Sequence, residues 1–164
     1  MKVRRLLTLV LTLGLVLALS LPAQAADLTY DVPGGKLYFD AATGTITRSD
    51  MTITEADIPA EIYGVPVTAI GSYAFNQHQD LTRVTIPDTV TSIGRQAFGT
   101  CRSLEQIVLP DSVTSLDQGV FYQCTSLTSV TLSKNLTSIP RDTFQACSAL
   151  TSITLPDGIT SIGS

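Results

Sequence analysis

The residues able to do chemistry are few, and their spacing is regular. The chain has one histidine, His78, and three cysteines, Cys101, Cys124 and Cys147. A Ser-His-Asp or Cys-His site would have to use His78 as its base. The cysteines lie 23 residues apart, unlike the close pairs that hold structural zinc. On neighbouring turns of a regular coil their side chains would run parallel, which disfavours disulfide geometry, so free buried thiols are expected. Asp88 and Asp111 share a column that continues with Lys134 and Asp157. Polarity at a turn explains that column better than a carboxylate pair does. No glycine-rich phosphate loop and no calcium-loop pattern is present. The expectation is a chain with no catalytic residues, no cofactor and no metal.

The N-terminus has its own logic. Lys2, Arg4 and Arg5 precede an apolar run from Leu6 to Leu21, then Pro22 and Ala23-Gln24-Ala25. This is the form of a secretory signal, residues 1–25, with cleavage predicted after Ala25. The rest carries 7 basic against 14 acidic side chains, a net charge of −7. Scattered acidic charge gives no footprint for nucleic acid or an anionic membrane. No second apolar run follows, so nothing else is expected to span a bilayer once the signal is removed.

The elements that must position these residues come from an internal repeat. Leu81, Leu104, Leu127 and Leu150 lie 23 apart, and each opens a matching unit. Phe75, Phe98, Phe121 and Phe144 form one column. Val90, Val113, Leu136 and Ile159 form a second, and Ile93, Leu116, Ile139 and Ile162 a third. A looser copy over residues 53–80 places His78 in the cysteine column. Apolar residues at the fourth and sixth positions of each unit have the period of two that marks a strand. Proline after that strand, at 87, 110 and 156, ends the ladder. No helical stripe runs through the unit. One such unit buries too little to fold alone, so successive units must stack. Thr91, Thr114, Thr137 and Thr160, each followed by serine, then form outward rows that suit a solvated strand. Gly71 and Gly94 give way to Asp117 and Pro140 in later units, so that corner needs no left-handed backbone.

The pattern L-x-x-[VI]-x-[IL]-P-x-x-[VL]-x-x-[IL]-x-x-x-A-F-x-x-C over residues 53–164 resembles the BspA-like leucine-rich repeats of bacterial surface proteins. The preceding "GGKLYFDAATGTITRSD" is similar to the leader often found before such repeats. The resemblance implies a mainly β, right-handed leucine-rich-repeat solenoid, with a parallel sheet on one face and little helix. About four and a half coils of 23 residues are expected, after an N-terminal hairpin-like cap over 26–52. Lys36 to Asp40 and Thr45 to Thr47 read as that hairpin's strands, with Gly44 in the turn. The unit that opens at Leu150 stops before its own Phe column, so the solenoid is expected to be incomplete at the C-terminus.

The resemblance also implies export and a non-catalytic role in adhesion. The partner would be an extracellular protein or glycan. The side chains offered to it are those of the outward strand positions: Arg83, Thr85, Gln106, Val108, Ser129, Thr131, Ser152 and Thr154. The alternative is a structural spacer, associating end to end through its uncapped terminus, or an accessory module of a larger surface protein or hydrolase. Ice binding by the threonine rows is disfavoured because Arg83, Glu105 and Gln106 interrupt them.

Overall fold

The structure is a computed structural model describing residues 27–163. The expected signal segment, 1–25, lies outside the described residues. Among those described there is no helix; short strands alternate with tight turns.

The chain opens with an antiparallel meander, β1 (Leu28–Val32), β2 (Gly35–Asp40) and β3 (Thr45–Ser49). Pro33 and Gly34 form the first turn, where Gly34 has a φ of 89°. Proline followed by a glycine of positive φ is a type II turn signal. Gly44, at φ 67°, closes the second turn. Leu37, Phe39 and Ile46 of this meander are fully buried and join the core of the coils.

The coils follow. The first four each contribute an outward strand on a first wall, and these are β4 (Glu55–Asp57), β8 (Arg83–Thr85), β10 (Gln106–Val108) and β12 (Ser129–Thr131). Every coil contributes a two-residue strand on a second wall: β7 (Ala69–Ile70), β9 (Ser92–Ile93), β11 (Ser115–Leu116), β13 (Ser138–Ile139) and β14 (Ser161–Ile162). The first coil alone inserts a small hairpin, β5 (Glu61–Ile62) and β6 (Val65–Pro66), which holds the extra residues of that copy. The meander continues the second wall, because β3 pairs parallel with β7, and β7 with β9 and β11 beyond it.

Pairing between coils is parallel, as a solenoid requires, but it is discontinuous. On the first wall β4 pairs with β8 and β10 with β12. Among the described residues, no backbone hydrogen bond joins 81–86 to 104–109, or 127–133 to 150–156. The second wall breaks once, between β11 and β13. One of the missing rungs there has a chemical cause. Gly94, Asp117 and Gly163 each donate an N–H to the coil below, at Ile70, Ile93 and Ile139. Pro140 occupies the same column and has no N–H to give.

The third wall is continuous and carries the spine. Phe75, Phe98 and Phe121 are fully buried, and Phe144 is half-buried. Successive rings stack with centroids 5.3, 5.8 and 5.7 Å apart and planes within 16°. The N–H of each of the first three donates to the next coil, at Ala97, Val120 and Thr143. Two residues before and after each Phe, the backbone is left-handed, at Tyr73 and Gln77, Gln96 and Thr100, Gly119 and Gln123, and Asp142 and Ala146. In the first three coils both left-handed residues also donate to the next coil.

Gly71 and Gly94 are absent from that left-handed set, as expected of their column. Their constraint is space. A Cβ on Gly94 would lie 2.5 Å from the Ser72 nitrogen and 2.8 Å from the Gly71 carbonyl carbon. Gly94→Ala is therefore expected to cost about 1–3 kcal/mol through overpacking against backbone. A lowered urea midpoint, compared with an unchanged one for Asp117→Ala, would check this.

Candidate functional site

The chemistry-bearing residues are held in the spine. Cys101, Cys124 and Cys147 are free and buried. Each thiol donates to the carbonyl of the phenylalanine one coil back: Cys101 to Phe75 at 3.1 Å, Cys124 to Phe98 and Cys147 to Phe121 at 3.0 Å. The column thus needs a small donor as well as a small volume. Burial pushes the Cys101 thiol up to about 12, and raises Cys124 and Cys147 as well. A thiol held protonated is a poor nucleophile and a poor ligand. A thiol-reactive disulfide reagent is expected to label none of the three in the folded chain at neutral pH, and all three after denaturation.

His78 is also buried. Its Nε2 lies 3.0 Å from the Asp50 carbonyl oxygen and 2.9 Å from Ser49 Oγ, and its Nδ1 lies 3.3 Å from the Asn76 carbonyl. Ser49 Oγ–H is already given to the Ala74 carbonyl at 2.7 Å. The Asp50 carbonyl can only accept, so Nε2 carries a hydrogen and donates to it. Ser49 and His78 are close enough to resemble a nucleophile and its base, but the protons run the wrong way: the imidazole offers Ser49 no lone pair. His78 performs the task of the cysteine thiols, donating to the layer below. That layer is the meander, and the longer side chain reaches its nearest carbonyl. Among the described residues no group of three metal-ligating side chains comes together.

What remains accessible is the first wall. Arg83, Thr85, Gln106, Val108, Ser129, Thr131, Ser152 and Thr154 are all exposed. The first six stand on β8, β10 and β12; Ser152 and Thr154 lie on the following coil, which forms no strand there. They do not form one even surface. Arg83 is clamped to β4, with Nη2 2.8 Å from Glu55 and Nη1 2.8 Å from Asp57. Thr85 Oγ1 donates to Asp57 at 2.7 Å. The Thr85 hydroxyl and the Arg83 guanidinium hold the Asp57 carboxyl below its usual range. All these side-chain bonds run from β8 toward β4 and none toward β10, on the side where the ladder is intact.

Two grooves open where the ladder is broken. One, of about 540 Å³, lies between β8 and β10. The other, of about 590 Å³, lies between β12 and residues 154–158. Both fall in the size range of about 300–1,000 Å³ common for ligand clefts. The strand positions are legible in the sequence; the grooves are not, because they depend on which coils pair. Arg83 with Glu55 and Asp57, one coil back, was the available signal.

A family model described as the BspA type leucine-rich repeat region matches residues 52–164 in 6 copies. Among solved structures, a leucine-rich repeat protein from T. pallidum is 30% identical with a TM-score of 0.70, covering 88% of this chain. The chain spans 64% of that protein's length. A leucine-rich repeat protein from Eubacterium ventriosum is 24% identical with a TM-score of 0.50, over 78% of this chain and 46% of that one. One from Bacteroides capillosus is 33% identical with a TM-score of 0.48, over 82% of this chain and 86% of that one. No curated protein sequence matches the chain.

Proposed function

The chain belongs to the BspA-type leucine-rich-repeat family, and on that premise we propose that it is an exported, non-catalytic protein of the cell surface or its surroundings. It binds an extracellular protein or glycan through the first wall. One observation carries this reading: the first wall is where exposed strand side chains flank two open grooves, while the cysteines and the histidine are spent on holding coils together. Solenoid sheets serve as extended binding surfaces because their side chains stand in a regular, rigid array. The sequence of residues 1–25 supports export.

The test is capture from an array of purified extracellular-matrix proteins and cell-wall glycans, using the chain and two variants. Thr131→Arg places a bulky charge on the first wall, and Thr114→Arg places one on the second. A ligand lost with Thr131→Arg and kept with Thr114→Arg supports the reading. Equal loss, or no captured ligand, counts against it.

A further inference from the structure

We propose that the groove between β8 and β10 takes a basic side chain, arginine or lysine, presented by an extended segment of a partner polypeptide. This rests on the proposed use of the first wall and names the chemistry of its partner.

The groove has an apolar floor and acidic ends. Val84 and Ile107 lie beneath it, and Val108 stands at its edge, 61% exposed. Asp88 and Glu105 line it, both exposed. Neither has a cationic partner among the described residues. Arg83 also lines it, but its guanidinium is shared between Glu55 and Asp57, so it leaves no positive charge to balance the other two. The neighbourhood has four carboxylates and one guanidinium.

The shape suits the same occupant. A lysine or arginine stem lies along apolar surface while its head stays with polar groups. The facing edges of β8 and β10 make no backbone hydrogen bond to each other. Their carbonyls add acceptors beside the carboxylates, which matches a guanidinium with five donors and no acceptor. An extended segment presents alternate side chains to one face, the register a strand wall can read.

The second groove is the internal contrast. It has similar volume and a similar strand wall, but Lys134 lines it together with Asp157. Lys134 also pairs with Asp111 at 2.6 Å. Counted the same way, the second neighbourhood has two carboxylates, Asp111 and Asp157, and one ammonium, so a cation gains less there than beside four carboxylates and one guanidinium; shape alone would fill both grooves and charge favours the first.

The experiment is fluorescence anisotropy with the whole chain and three short labelled peptides in which threonine alternates with arginine, glutamine or glutamate. The arginine peptide should bind, and the glutamine and glutamate peptides should bind at least about tenfold more weakly. Raising salt from about 0.05 to about 0.5 M should weaken the arginine peptide, since these groups are exposed. The double variant Asp88→Asn, Glu105→Gln should lose about tenfold or more. The variant Glu61→Gln, Asp117→Asn removes the same charge away from both grooves and should change affinity by less than about twofold. Equal loss in both variants would mean diffuse attraction to an acidic chain and would overturn the proposal. Binding of all three peptides alike would overturn it too. If none of the peptides binds while a ligand captured in the Thr131→Arg experiment does, the basic occupant is wrong and the first wall stands. If neither binds, both readings fall.

Discussion

Phe121→Ala is expected to lower the free energy of unfolding by about 3–5 kcal/mol, the range for emptying a large aromatic from a packed core. Phe121 is fully buried and lies between two rings, Phe98 at 5.8 Å and Phe144 at 5.7 Å. The upper end of that range applies because the hole cannot close. Its walls are coils kept apart by hydrogen bonds, Phe98 N–H to Val120 and Phe121 N–H to Thr143. The Cys147 thiol that donates to the Phe121 carbonyl is held from the same side. Collapse would break that ladder, so the lining atoms lose their contacts outright. Phe144→Ala supplies the comparison. Phe144 is half-buried and stacks on only one described ring, so its loss should cost about half as much. Denaturant titration of both variants measures the difference. Near-zero losses in both variants would show that the stacked rings are passengers and that the ladder alone holds the third wall.

A stack of this kind transmits damage to its neighbours, because each coil is stable only through the two beside it. Phe121→Ala should therefore uncouple the coils on either side as well as weaken the chain. A broader transition with a smaller denaturant slope is the signature. Gly94→Ala acts on a single contact between coils and should shift the midpoint with the slope intact.

The same physics explains what the sequence reveals and what it conceals. Burial is selective for residue type, so Phe recurs in four coils, Cys in three and the aliphatic positions throughout, and the spine is legible as columns. Backbone conformation is imposed by hydrogen bonds that any residue can make. The left-handed position before each Phe is filled by Tyr73, Gln96, Gly119 and Asp142, and the one after it by Gln77, Thr100, Gln123 and Ala146. No residue preference survives there, since in the first three coils the bond to the next coil is donated by the backbone N–H whatever the side chain. The break between β11 and β13 had a signal in Pro140, whose missing N–H removes a rung. The break between β8 and β10 had a weaker one. Arg83 carries the side-chain bonds that draw β8 to β4, but its partners Glu55 and Asp57 sit in the irregular first copy, where alignment is hardest. The strand β1 likewise has a signal, Pro33-Gly34, that the repeat pattern does not cover.

His78→Ala is expected to cost about 2–5 kcal/mol, combining the loss of a buried ring with the loss of a buried hydrogen bond. The imidazole packs edge-on against Phe75, with centroids 5.7 Å apart, so its removal opens the first layer of the spine. It also removes the stronger of two donors to the Asp50 carbonyl, at 3.0 Å, leaving only the Ile53 N–H at 3.2 Å. These contacts join the meander to the first coil, so the damage should be local. Backbone amides of β1 and β2 should lose hydrogen-exchange protection, while those of β10 to β12 keep theirs. His78→Cys separates the two contributions. A thiol restores the residue type of the column, but it is shorter than the imidazole and the layer below is a strand meander instead of a coil. It should recover part of the packing and little of the bond to Asp50, and so fall between the parent and the alanine variant. If His78→Cys were as stable as the parent, the column would require only a small buried donor, and the reach of the imidazole across to Asp50 would have no role in holding the meander.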